Sequence, residues 1–369
     1  MPSRPSLLKE LPPPPAQKSG WPWTEEVSPE SYGPSIPYPK ISLVTPSYNQ
    51  GQYIEETIRS ILLQNYPALE YIVMDGGSTD ETKEILEKYS PWLTKWVSEP
   101  DGGQSDAINK GLAQSTGDLF NWCNSDDYFN PGALEKIGYA YQGGAFEAVF
   151  GKSALFGIEE VEGREKGTLL FDGNTAKAIG LASFSQPAIF FSKTAVDKMG
   201  PLSKSLHYAM DREWWIKWLL YFGADKAKEI PDAILNFRYH DDSKTVEGTD
   251  TNYKDINSIS YSLAKSFGFD NYAAVIAEET AIDFDYQIDL DKGAISPTLI
   301  KSSLAYFMIA FANFLVFSGN RKGAKRAAKL IDTTDFTFSD KMYKYKLNLK
   351  TQEGIIGTLH DLLAPKPLK

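Results

Sequence analysis

From Lys40 onward the apolar positions alternate between two rhythms. "ISLVTPS" is a short β-branched run, "YIEETIRSILLQ" carries apolar residues at helical spacing (Ile54, Ile58, Ile61, Leu62), and "LEYIVMD" is a second buried run. "STDETKEILEKY" opens on a Ser/Thr cap and continues as an amphipathic helix. "TKWVSEP" then reads as a third strand, "QSDAINKGLAQS" as a helix and "DLFNWCN" as a fourth strand. Strand and helix alternating in units of about 30 residues or fewer predict a parallel sheet with helices on its faces. Beyond Pro131 the pattern gives a helix at "LEKIGYAYQ", a strand at "EAVFGKSALFG", an irregular region to Phe184, an aromatic-rich helix at "DREWWIKWLLYFG" and a strand at "AILNFRYH". From about Thr251 the chain is mostly helical, and "AYFMIAFANFLVFSGNRKGAKRAAKLI" resembles two helices joined by a Gly-Asn turn.

Residues 1–39 lack this periodicity. "PPPP" and "SYGPSIPYP" restrict the backbone and predict a linker or an arm lying over the surface, with "GWPW" pointing to packing. The expected organisation is therefore an arm (1–39), an α/β domain (40–250) and a helical region (251–369).

Composition narrows the classes of function. With 42% hydrophobic and 13% aromatic residues in 369, the chain has ample apolar material for one large or two modest cores. A formal net charge of -10 argues against general nucleic-acid binding, which demands clustered Lys and Arg. One cysteine, Cys123, and three histidines exclude an intrachain disulfide and a Cys/His zinc cluster. That cysteine reads as a small buried residue in a chain suited to a reducing, cytoplasmic compartment. "SLLKELPPPPAQKSG" is too polar and proline-rich for a signal peptide. The run Leu304–Phe317 is shorter than the roughly 20 residues of a spanning helix and reads as a core helix. The basic stretch after it (Arg321, Lys322, Lys325, Arg326, Lys329) keeps peripheral membrane contact on the cytoplasmic face open, as it does pairing between copies.

The candidate chemistry lies after the strands. "TPSYNQG", "DGGSTD", "EPDGGQSD" and "NSDD" each follow a strand, and in parallel sheets ligands bind beyond the carboxyl ends. There is neither a Walker loop nor a G-x-G-x-x-G turn. Asp75 could accept from a base N–H or a ribose hydroxyl, or simply close a turn. Asp126 and Asp127 are hard oxygen ligands suited to Mg²⁺ or Mn²⁺, and such an ion would let an acidic protein hold a diphosphate.

These motifs, with "SFSQPAIFF", "LHYAMDREWWIKW" and "FRYHDDSKT", together resemble a family 2 glycosyltransferase of the bacterial, inverting type. The likeness runs from about Ile41 to Thr245. It implies a GT-A fold, a Rossmann-like α/β architecture with a mostly parallel central sheet, followed here by a helical region. It further implies that Thr45, Pro46, Tyr48 and Asn49 flank the nucleotide, that Asp75 reads its base, and that Asp106, Asn109 and Lys110 line the ribose and sugar side. "NSDD" stands where the family has its Asp-x-Asp motif, so Asp126 would bind the metal with Asp127 beside it. Asn124 replaces an acidic residue but keeps an amide oxygen for ribose. His240 would be a third metal ligand or a diphosphate contact, with Arg238 and Ser243 nearby.

Asp211 falls at the family's catalytic-base position. An acceptor hydroxyl attacking in line must lose a proton as the new bond forms, so one carboxylate suffices, and the single displacement inverts the anomeric centre. Metal stabilisation of the leaving group removes the need for a protein acid. Gln186 would shape the acceptor end, and Trp214 or Trp215 could stack on an acceptor sugar, although aromatic residues at helical spacing also pack cores.

The expected activity is metal-dependent transfer of a sugar from a nucleotide diphosphate donor to a glycan or lipid-linked acceptor, in cell-surface polysaccharide synthesis. The alternative, motivated by Asn124, is a catalytically silent nucleotide-sugar-binding or scaffold module on the same fold. A sugar-phosphate nucleotidyltransferase would want a basic Gly-rich loop after the first strand, which "TPSYNQG" lacks.

Overall fold

Ile41–Ser47 (β1) is buried at all seven positions and Leu69–Asp75 (β2) at six of seven, as strands covered on both faces must be. The computed structural model describes residues 6–33, 37–141, 144–240, 249–334, 336–337, 339–341 and 344. Between β1 and β2 runs Gly51–Leu62 (α1), whose buried Ile54, Ile58, Ile61 and Leu62 confirm the helical spacing. Thr82–Tyr89 (α2), Lys95–Ser98 (β3), Gln104–Leu112 (α3) and Leu119–Trp122 (β4) complete the repeating part. The expected Ser/Thr cap on α2 is replaced by Asp80, whose Oδ1 accepts the Thr82 N–H at 3.0 Å and whose Oδ2 accepts the Gly51 N–H of α1 at 2.8 Å.

β1 pairs in parallel with β2 and β4, and β2 with β3. After β4 come Tyr128–Phe129 (β5), Ala133–Tyr141 (α4), Ala148–Phe156 (β6), Glu165–Lys166 (β7), Thr175–Leu181 (α5), Ile189–Ser192 (β8) and Lys193–Met199 (α6). Met210–Phe222 (α7) precedes Ala227–Arg238 (β9), a strand of 12 residues that starts upstream of the expected "AILNFRYH". The strand order is β3-β2-β1-β4-β8-β6-β9-β5, with β7 beside β6. Thus the parallel sheet of the sequence reading continues beyond β4 as a mixed sheet: β8 is antiparallel to β4 and β6, and β9 is parallel to β6 and antiparallel to β5.

The chain divides into two compact units. The first, Met1–Thr168, Phe184–Lys204 and Asp225–Glu247, holds the sheet and the N-terminal arm. The arm packs as "GWPW" suggested, with Leu11, Trp23 and Tyr32 buried. Its backbone is held by the fully buried Arg59 of α1, which donates to the carbonyls of Pro12, Pro22 and Trp23 and to the Tyr89 hydroxyl.

The second unit is Leu169–Ser183, Ser205–Ala224 and Gly248–Lys369. It contains α5, α7, Thr249–Ser266 (α8), Asp270–Glu279 (α9), Pro297–Phe317 (α10) and Arg321–Lys329 (α11). α10 is 21 residues long and apolar enough to cross a membrane by length and composition, and 61% of its most apolar window is buried within the protein. The Gly-Asn turn is present: Gly319 has φ 82° and the Asn320 side chain caps α11 by accepting the Gly323 N–H at 2.9 Å. α5, inside the stretch expected to be irregular, is a short helix capped by Asn174, which accepts the Lys177 N–H at 3.0 Å.

Candidate active site

The parallel strands deliver their carboxyl ends to one rim, where side chains and backbone termini are already heavily engaged. Thr45, at the end of β1, is buried with its hydroxyl 3.1 Å from that of Tyr71. Pro46 is the buried penultimate residue of that strand, Tyr48 is 61% exposed, and Asn49 takes a left-handed φ of 51°. That conformation suits Asn and lets its Oδ1 accept the Thr79 N–H at 2.9 Å while its own N–H donates to Ser78 at 2.7 Å.

Asp75 is only 2% exposed. Its carboxylate accepts from the Gly77 and Ser78 N–H groups and from the hydroxyls of Ser78 and Ser98, so it closes the "DGGS" turn. Asn109 is likewise committed, with its amide donating to and accepting from the backbone of Leu202, both at 2.8 Å. Asp106 and Lys110 form a more open group: Lys110 lies 3.5 Å from Asp106 and 3.3 Å from Glu99. Lys204, unforeseen from sequence, bonds Asp106 and is the chief cause holding its carboxyl down at about 2.

The acidic turn after β4 is the centre of the arrangement. Asn124 accepts from Gln104 at 2.8 Å. Asp126 Oδ2 stands 3.0 Å from His240 Nε2, joining residues 114 apart in sequence. Asp127 turns inward: it is 1% exposed, its Oδ1 accepts the Arg238 N–H at 2.9 Å, and its Oδ2 is buried with no hydrogen-bond partner among the described residues. Burial, and then the neighbouring Asp126 charge, push its carboxyl well above the usual carboxylate range. The same burial and the same two acids raise the Cys123 thiol, which fits a buried small residue and not a nucleophile.

The expected three-ligand set of Asp126, Asp127 and His240 is therefore not assembled, and among the described residues no three His, Cys, Asp or Glu side chains converge as a metal site. Adjacent residues in a tight turn point apart, and Asp127 spends its side chain on β9. Asp126 and His240 nevertheless fit an ion as a pair: two neighbouring ligands each about 2.1 Å from a cation lie about 3 Å apart. A carboxylate beside an imidazole suits Mn²⁺ better than Mg²⁺, which takes oxygen ligands, and one or two protein ligands suffice where substrate phosphates supply the rest. Ser243 lies outside the described residues.

Arg238, expected near the diphosphate, is engaged by groups of the protein itself. Its Nη2 meets Glu56 at 2.6 Å, its Nε donates to the Asp126 carbonyl at 2.9 Å, and its guanidinium lies 4.7 and 4.5 Å from the rings of Tyr53 and Phe156. Glu56 and Tyr53 escaped the sequence reading; their one signal is a polar face on α1 at helical spacing. Gln186 is buried and donates to Asn121 Oδ1 and the Trp122 carbonyl at 3.0 and 3.2 Å, bracing the end of β4.

Asp211, Trp214 and Trp215 belong to the second unit. Asp211 sits in the first turn of α7 and its Oδ1 accepts the Arg212 N–H at 2.7 Å; a carboxylate is favoured at that end of a helix. Trp214 and Trp215 do not present the stacking face that was expected. They are 0% and 1% exposed, and Trp215 stacks on Trp218 at 5.1 Å. α7 is buried nearly all round, including the Glu213–Lys217 ion pair, as a helix inside a core must be.

A parallel strand rim with an acidic turn, continued by a mixed sheet, is the GT-A fold. Residues 42–200 match the family described as Glycosyl transferase family 2. An uncharacterised glycosyltransferase of Mycobacterium tuberculosis is 32% identical over 188 residues, 48% of this chain and 68% of that protein. The chain belongs to glycosyltransferase family 2 and is a glycosyltransferase. The poly(ribitol-phosphate) β-N-acetylglucosaminyltransferase TarS of Staphylococcus aureus is 37% identical over 101 residues, 26% of this chain and 18% of that protein. The structure of TarS 1–349 with UDP-GlcNAc superposes with a TM-score of 0.57 at 17% identity, covering 85% of this chain and 88% of that one. A mannosyltransferase of Pyrobaculum calidifontis, solved with GDP-Man and Mn²⁺, gives 0.50 at 17% identity, covering 87% and 82%. At such identities the structural likeness concerns the fold.

Proposed function

We propose that this glycosyltransferase moves a sugar, with inversion, from a nucleotide diphosphate donor to a glycan or lipid-linked acceptor in the building of a cell-surface polysaccharide, working at the cytoplasmic side. The observation that carries the reading is the Asp126–His240 pair, 3.0 Å apart beside the carboxyl ends of the parallel strands. These two side chains would hold Mn²⁺ or Mg²⁺; when bound, the ion neutralises the diphosphate leaving group. The chain's own part is to fix that pair, to supply the nucleotide rim from Thr45 to Asn49, and to keep Asp106 ionised beside Lys110 and Lys204 on the sugar side.

Two features support the finer assignments. TarS acts on a poly(ribitol-phosphate) polymer, by its name, which favours a surface glycan or polyol as acceptor. Asp211, the proposed base, would take the acceptor hydroxyl's proton as the bond to the anomeric carbon forms and the bond to the nucleotide diphosphate breaks. The basic face of α11, with Arg321, Lys322, Lys325, Arg326 and Lys329 all exposed, suits contact with an anionic membrane surface. The test is single-turnover transfer by Asp211→Asn. The variant is expected to lose about 10²- to 10⁴-fold in turnover with donor affinity unchanged, and turnover at the wild-type rate would remove Asp211 from the mechanism.

A further inference from the structure

Arg238 poses a problem for any cation-binding role of Asp126. A guanidinium is permanently charged, and this one is anchored on the backbone carbonyl of Asp126. Left to rotate, it would pair with the Asp126 carboxylate and compete with any cation for it. It is prevented from doing so by a contact from α1: Glu56 Oε2 takes Arg238 Nη2 at 2.6 Å, with both side chains largely buried at 18% and 17% exposure. One turn earlier on the same helix face, the Tyr53 ring covers the guanidinium at 4.7 Å and lies 5.0 Å from the His240 ring. Glu56 is itself fixed, since its Oε1 accepts the indole N–H of Trp23, from the N-terminal arm, at 3.3 Å.

We propose that Glu56 is a positioning residue of the transfer site. It draws Arg238 away from the Asp126 carboxylate, leaves that carboxylate to His240 and to a divalent cation, and makes the N-terminal arm, through Trp23, a working part of the site. The proposal rests on the reading of Asp126 and His240 as cation ligands.

The test uses full-length wild type, Glu56→Ala and the milder Glu56→Gln. Two quantities are read: Mn²⁺ binding by calorimetry, and, in metal-free protein, the imidazole ¹H–¹⁵N cross-peak of His240, identified by its loss in His240→Gln. Thermal melting checks that each variant is folded. Glu56→Ala is expected to weaken Mn²⁺ binding about 10- to 100-fold, the range for residues that orient metal ligands, and to move the His240 cross-peak. Glu56→Gln, which keeps the shape but not the charge, should shift both in the same direction by less, and it decides the matter if the alanine variant does not fold. A His240 cross-peak at its wild-type position in the folded variants overturns the role of Glu56. Failure of the wild type itself to bind Mn²⁺ overturns the cation reading instead, while the metal-free cross-peak still decides on Glu56.

Discussion

At the scale of single residues, the domain is organised by carboxylates whose partners differ in kind. Glu70 shows the purely structural use. It is 6% exposed, and although burial opposes ionisation, hydrogen bonds from Lys40, Ser42 and Thr116 hold its carboxyl at about 2 against an ordinary 4.5. Because the folded value lies below the unfolded one, its contribution is complete above pH 4.5 and is lost as the pH falls toward 2. Glu70→Gln should therefore reduce stability at neutral pH by up to about 3 kcal/mol and flatten the acid limb of the stability curve in that window. Urea melts at pH 7, 4 and 3 check this, and an unchanged acid limb would contradict it. At this scale the motifs brought Asp126 and His240 forward, and the structure sets the two side chains 3.0 Å apart. It was silent where the decisive fact is a distant partner. Asn109 is consumed by the backbone of Leu202, 93 residues on, and nothing local announces that Glu56 meets an arginine 182 residues away.

At the scale of elements, two contacts carry most of the local specification. Asp80 caps both α1 and α2. Loss of a capping carboxylate costs about 1 kcal/mol per helix end, so Asp80→Ala should cost roughly 2 kcal/mol by denaturant unfolding, twice the loss of a single cap. In the second unit, a Cβ on Gly180 of α5 would stand 2.5 Å from the Ser303 carbonyl and 2.6 Å from Tyr306 Cβ of α10. Backbone cannot retreat as a flexible side chain can, and Gly180→Ala should destabilise by about 1–3 kcal/mol despite alanine's better helix propensity. A melting temperature equal to wild type would show that the two helices are free to separate. The strands and long helices were readable because period and burial agree over many residues. α5 was not, since seven residues give too little periodicity; its one signal was Asn174 in the capping position. The tryptophans of α7 show the converse limit, because spacing alone does not say which face of an aromatic helix is covered.

At the scale of the whole molecule, an enzyme with a formal charge of -10 has to bind an anionic donor. A divalent ion at Asp126 and His240 would offset that repulsion. Nucleotide binding would then depend on metal through this pair. The most direct measurement is the melting temperature of wild type and His240→Ala with UDP, GDP, dTDP or CDP, each with and without Mn²⁺, since a ligand of the native state raises it by mass action. The account predicts a rise for wild type with one nucleotide when Mn²⁺ is present, lost or much reduced in His240→Ala. An equal rise without metal, or an undiminished one in His240→Ala, would contradict it.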